Sequence, residues 1–84
     1  MLDSEGLFKA RIVRLILMKE TDEAVKALSQ HYGISVPHLK VGMPKRSGKK
    51  VGCYVSETRT IHVTSREKLE DPSVILHEFY HHLR

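Results

Sequence analysis

Apolar residues at helical spacing run from about residue 4 to residue 32. They are Phe8, Ile12, Leu15, Ile16, Val25, Leu28 and Tyr32. Positions three or four apart fall on one face of an α-helix. A polar run at residues 19–23 either divides this stretch into two helices, with Thr21 capping the second, or forms an exposed turn of one long helix. Gly33 is expected to end the helical stretch in the left-handed conformation, with Ile34 packing back on its last turn.

Alternating and β-branched residues then predict three short strands. They cover residues 36–43, 51–55 and 59–64. Pro37 limits the first strand to a sheet edge or to a start at His38. The short turn at residues 56–58 implies an antiparallel hairpin of the last two strands. Residues 44–50, rich in Pro, Gly and Lys, are expected to form a loop.

Helical spacing returns at the carboxyl end of the chain, after a charged connection over residues 65–71. The apolar face of this last helix consists of Val74, Ile75, Leu76, Phe79, Tyr80 and Leu83, and all six are expected to pack in a core. Asp71 is a good N-cap, and Pro72 is suited to the first helical position. The predicted fold is α+β. It has one N-terminal helix or two, a mostly antiparallel three-stranded sheet and a C-terminal helix, in one domain over residues 1–84.

Composition describes an ordinary globular protein. The chain has 84 residues, of which 40% are hydrophobic and 29% charged. No apolar stretch is long enough to cross a bilayer, so no membrane partner is expected. Arg11, Arg14 and Lys19 interrupt the apolar residues near the start, which is unlike a signal peptide. Cys53 is the single cysteine and excludes an internal disulfide. Together these features predict a cytoplasmic location.

The net charge of +4 is compatible with nucleic acid but does not require it. Much of the charge lies in residues 45–50, which read either as a solvated loop or as a loop that contacts phosphate. Residues 23–40 superficially resemble a helix-turn-helix, which makes DNA binding an alternative function. Pro37 would fall inside the recognition helix and weakens that alternative.

The last helix carries the chemistry that this sequence shows most clearly. His77, Glu78 and His81 form the pattern H-E-x-x-H. Two imidazoles four residues apart lie about 40° from each other around a helix, so both can reach one metal ion. Glu78 lies beside the first ligand, where its carboxylate can deprotonate a metal-bound water without binding the metal. The pattern predicts a zinc hydrolase site, against the plainer alternative of solvated surface histidines.

The stretch from residue 52 to residue 83 carries a Gly-x-Tyr strand, then TIHV, then LHEFYHHL. It resembles zinc metallopeptidases of the zincin clan, and most of all the very small, single-domain, gluzincin-like members. The resemblance implies that His77 and His81 bind Zn²⁺, that Glu78 is the catalytic carboxylate, and that the substrate is a peptide or protein. It also implies that the strand before the active helix is an edge to which an extended substrate adds. That strand consists of Thr60, Ile61, His62 and Val63.

The H-E-x-x-H motif supplies two zinc ligands, and the third ligand of a catalytic zinc site must come from elsewhere. In the resembling family it is a Glu from a following helix, and this chain ends at Arg84. The chain is expected to be a fragment of a longer protein, unless a partner chain supplies a carboxylate or two histidines and waters hold the ion. His62 is the candidate ligand within the chain, or else an ordinary strand residue. His82 points about 100° away from His81 and is expected to support the site or face solvent. Cys53 is expected to be a small buried hydrophobe.

A non-catalytic interaction module with a zincin-like fold is the second alternative to a peptidase.

The C-terminal helix has a broad apolar face and ends at the last residue of the chain, which predicts self-association through that helix.

Overall fold

The computed structural model describes residues 4–44 and 50–84, which form four helices and three strands. Their order along the chain is α1 (Ser4–Leu17), α2 (Thr21–Tyr32), β1 (His38–Val41), β2 (Gly52–Val55), β3 (Thr60–Val63), α3 (Arg66–Leu69) and α4 (Pro72–Leu83). The predicted α+β class is confirmed. The N-terminal stretch forms two helices, and the short helix α3 lies in what was predicted as a plain connection. The basic loop predicted at residues 44–50 lies outside the described residues except for its two ends. None of the described helices is long and apolar enough to cross a membrane.

The three strands form a mixed sheet in the order β1-β3-β2. β1 pairs in parallel with β3, from His38 opposite Thr60 to Val41 opposite Val63. β2 pairs antiparallel with the other side of β3, with Gly52 opposite Val63. The hairpin prediction is confirmed, but the prediction of a mostly antiparallel sheet was wrong, because one of the two strand pairs is parallel.

β3 is therefore the central strand, hydrogen-bonded on both sides. The prediction that Thr60, Ile61, His62 and Val63 form the substrate-binding edge was wrong. A strand whose backbone groups are paired on both sides has none left for an added peptide. Within the described part of the chain, β2 is the edge strand on the side of α4, which contacts β2 more than any other strand.

The core lies between the helices and one face of the sheet. Its buried residues are Ile12, Ile16, Ala24, Val25, Leu28, Ile61, Val63, Ile75 and Phe79. Ile61 and Val63 have no solvent exposure, as expected for β-branched residues of a central strand. His62 lies between them in sequence, so its side chain points to the opposite face of the sheet. That alternation separates His62 from the helices.

The predicted helix ends at Gly33 and Asp71 are confirmed. Gly33 has φ 67°, and its N–H bonds to the last turn of α2. Ile34 donates its N–H to the Ser29 carbonyl and packs against the core. Asp71 is the N-cap of α4 and accepts hydrogen bonds from the Ser73 N–H and hydroxyl at 3.0 and 2.8 Å. The hydroxyl bond holds the pKa of Asp71 below its usual value, because it stabilises the charged carboxylate.

Thr21 and Tyr80 differ from expectation. Thr21 begins α2 but does not cap it. Its buried hydroxyl donates to the Leu69 carbonyl at 2.7 Å, which ties α2 to α3. Tyr80, predicted to pack in the core, is 52% exposed, and the Arg84 guanidinium lies 5.0 Å from its ring centre. Each helical step turns the side chain by about 100°, so Tyr80 leaves the core face that its neighbour Phe79 occupies.

Candidate functional site

His77 and His81 lie one turn apart on α4, and both are exposed. Their ring centroids are 4.9 Å apart and their planes are nearly perpendicular, at 87°. Two imidazoles that bind one tetrahedral zinc ion at about 2.0–2.1 Å have ring centroids about 5 Å apart. The separation of the two rings therefore fits a shared ion, and neutral imidazole nitrogen is an ordinary zinc ligand.

Glu78 points toward the edge strand β2 rather than toward solvent. The residue is only 7% exposed. A Cβ atom added at Gly52 would lie 3.3 Å from Glu78 Oε2 and 2.9 Å from Val74 Cγ1. The missing side chain at Gly52 is what lets α4 lie so close to β2. The carboxylate of Glu78 consequently sits against the backbone of the edge strand.

An open cleft of about 730 Å³ separates α4 from the outer edge of β2. His77, Glu78 and His81 line it from the helix, and Gly52 and Tyr54 line it from the strand. The structure thus brings all three chemistry-bearing residues of the H-E-x-x-H motif to one accessible space. The exposed Lys50 lies at the same cleft and adds positive charge to its rim.

His62 does not join the two histidines, so its prediction as a third ligand was wrong. It is absent from the lining of the cleft, and its Nδ1 donates to the Gly42 carbonyl at 3.0 Å. Cys53, directly opposite His62 in the sheet, is a half-buried free thiol. Among residues 4–44 and 50–84, no three His, Cys, Asp or Glu side chains come together in a way that could hold a metal ion. Within that part of the chain the candidate centre has two imidazoles.

His82 connects α4 to two other parts of the fold through hydrogen bonds. Its Nε2 bonds to the Ser35 carbonyl at 2.8 Å, and its Nδ1 bonds to the Tyr54 hydroxyl at 2.5 Å. A carbonyl oxygen can only accept, so Nε2 carries the hydrogen, and in the neutral ring Nδ1 accepts the Tyr54 proton. This chain of bonds fixes the end of α4 to β2 and to the segment before β1. The signal in the sequence is the four-residue spacing from Glu78 to His82, which places both on the face toward β2.

The two remaining histidines lie away from the cleft. His31 is exposed and stacks on Phe8 with ring centroids 4.2 Å apart, and His38 is exposed on β1.

The helix-turn-helix alternative needs a recognition helix after Gly33. Residues 34–37 are not helical and β1 follows them, so that alternative loses its structural premise.

Comparison of the chain with protein-family models, with curated proteins and with solved structures finds no match. The resemblance to zincins therefore rests on the H-E-x-x-H motif and the strands that precede it.

Gly52→Ala is expected to lower the free energy of unfolding by about 1–3 kcal/mol, because the new methyl group would overpack the contact between β2 and α4. The added Cβ would lie 2.9 Å from Val74 Cγ1, and a short branched side chain has little freedom to move away. Urea denaturation measures the change. In a Val74→Ala background the same substitution is expected to destabilise less, because the clashing methyl is gone. Equal losses in the two backgrounds would contradict the proposed contact.

Proposed function

We propose that this protein is a zinc-dependent metallopeptidase, or the part of one that carries the H-E-x-x-H helix. The observation that supports this most directly is the convergence of His77, Glu78 and His81 on one open cleft beside β2, the edge strand of the described sheet. Glu78 is only 7% exposed and lies against the edge strand, which differs from the solvated side chains of an ordinary surface helix.

We assign each residue its role from the H-E-x-x-H motif and from its position in the cleft. His77 and His81 would hold a zinc ion through their ring nitrogens. The ion, when bound, lowers the pKa of a water molecule and polarises the carbonyl under attack. Glu78 takes a proton from the attacking water and later delivers it to the leaving amine. Because Glu78 is buried and lies against the Gly52 backbone, its side chain has less freedom to rotate than one in solvent.

The edge strand β2 supplies a surface for an extended peptide. Thr64 donates its N–H to the Val51 carbonyl, so Val51, Cys53 and Val55 direct their backbone groups toward β3. In an antiparallel pair the alternate residues direct theirs outward. Those residues are Gly52 and Tyr54, which also line the cleft. A peptide that adds to this edge would pass beside Glu78.

The test of this function is hydrolysis by the full chain with and without zinc. An unfolded protein such as reduced casein is incubated with metal-free protein, and zinc is then added in increasing ratio. We expect cleavage that rises until about one zinc per chain is bound and that disappears on chelation. A chain that binds no zinc, or that cleaves no substrate when zinc is bound, would overturn the proposal.

A second candidate function is a zincin-like interaction module that binds zinc and peptide without cleaving it. The observation that favours it is the lack of a third metal ligand among residues 4–44 and 50–84. Catalytic zinc sites usually have three protein ligands and one water. This candidate predicts stoichiometric zinc and peptide binding, with no hydrolysis at any zinc concentration.

A further inference from the structure

A second, smaller cleft adjoins the first beyond Tyr54. Its volume is about 400 Å³. Tyr54 and Ser56 line both clefts, so the two form one groove along the end of β2. The remaining lining residues of the second cleft are Ile34, Ser35, Arg59 and His82. A substrate lying along β2 would therefore meet this lining after it passes Glu78.

Arg59 brings an uncompensated positive charge to the second cleft. The one ion pair in the described part of the chain joins Lys26 and Glu23, and it is on α2, so no described carboxylate lies within 4 Å of Arg59. Among the residues that the structure describes, the guanidinium makes a single hydrogen bond, from Nη1 to the Ser35 hydroxyl at 3.4 Å. Its other four N–H donors bond to none of those residues.

The backbone at Arg59 is also unusual. Arg59 has φ 50° and closes the turn after β2 by donating its N–H to the Ser56 carbonyl at 3.3 Å. Glycine or asparagine normally occupies such a left-handed position, because a longer side chain is less favourable there. The side chain of Arg59 reaches Ser35 and lines the groove.

The rest of the lining is suited to an anion. His82 and Tyr54 are bonded to each other, which leaves the hydroxyls of Ser35 and Ser56 as further donors. None of the described residues that line the second cleft is acidic. A planar guanidinium with adjacent hydroxyls matches the two oxygens of a carboxylate.

We propose that Arg59 binds a carboxylate of the peptide substrate, two or three residues from the bond that is cleaved. The distance follows from β2, whose four residues lead from Gly52 beside Glu78 to Val55 before the turn, about 10 Å at the usual rise per residue. The carboxylate belongs either to an Asp or Glu side chain or to the C-terminus of the peptide. This inference rests on the proposed function for its account of where the peptide lies.

The experiment measures peptide binding, so that it does not depend on turnover. Labelled octapeptides of Ala, Val and Ser are made with a single Glu or a single Gln at each position in turn, each with a free or an amidated C-terminus. Fluorescence anisotropy with the zinc-loaded Glu78→Gln protein gives their dissociation constants. We expect a carboxylate at one position to tighten binding about 10-fold over its amide counterpart, and added salt to reduce that preference.

Arg59→Gln in the same background is expected to remove the preference while leaving the affinity for the uncharged peptides within about twofold. Arg66→Gln, which removes an exposed arginine on α3, is the matched control and should keep the preference.

A preference at an internal Glu identifies an acidic side chain, and a preference at the free C-terminus identifies the terminal carboxylate. Equal binding of acid and amide peptides, no peptide binding, or a preference that survives Arg59→Gln would overturn the inference. Failure of the proposed function would show separately, as intact preference with no hydrolysis by the unmodified chain.

Discussion

Glu78→Gln is expected to reduce the rate of peptide hydrolysis by about 100- to 10,000-fold while zinc stays bound at the unmodified stoichiometry. General acid–base catalysis by one side chain contributes about that much. An amide of the same shape cannot accept the proton of the attacking water. The substitution keeps the volume of the side chain, which matters because Glu78 is buried and packs against Gly52.

The measurement pairs steady-state kinetics with elemental analysis of zinc. Glu67→Gln removes an exposed carboxylate on α3 and serves as the matched control, with activity expected within about twofold of the unmodified protein. Retention of more than half the activity in Glu78→Gln would show that another group activates the water. A simultaneous loss of zinc would show instead that Glu78 is a ligand.

His77→Ala and His81→Ala are each expected to weaken zinc binding by more than about 100-fold. Removing even an indirect contact to a ligand typically weakens a metal site about 10- to 100-fold, and here a ligand itself is lost. Both side chains are exposed, so the circular dichroism of the metal-free variants should match that of the unmodified protein. Competition with a coloured zinc chelator measures the affinity.

Thermal unfolding gives an independent reading of the same substitutions. A metal that binds only the folded state raises the melting temperature. Zinc is therefore expected to raise the melting temperature of the unmodified chain and of Glu78→Gln, and to leave the melting temperature of His77→Ala unchanged. His38→Ala removes an exposed imidazole on β1 and should behave as the unmodified chain does. If His77→Ala and His81→Ala both keep stoichiometric zinc, the ion is held elsewhere and the candidate centre is wrong.

The local features of the fold could be read from the sequence because they depend on neighbouring residues. Asp71 and Pro72 start α4 as expected, and Gly33 ends α2 in the left-handed conformation. Each of these signals acts within a few residues of itself, through hydrogen bonds to the first or last turn. The same reasoning could not place Thr21, whose hydroxyl bonds to Leu69, forty-eight positions away.

The candidate site shows the same division: the features set by local spacing were predictable, and those set by distant contacts were not. The spacing of His77 and His81 already places their rings on one side of a helix, and the structure puts them 4.9 Å apart. The partner strand was not predictable, since nothing in the local pattern of residues 60–63 distinguishes a central strand from an edge. A buried central strand and a half-buried edge strand both use β-branched residues.

By itself, the sequence determined the approximate positions of the three strands and the last helix, the helical cap at Asp71, and the alignment of two imidazoles with an acid between them. Those properties follow from the repeat of the helix and strand backbone, which is the same in any fold. Only the tertiary structure decided that β1 pairs in parallel with β3, that β2 forms the rim of the cleft, that His62 faces away from it and that His82 holds Tyr54. Strand order and side-chain partners arise from contacts between distant segments, and their choice depends on how the whole core packs.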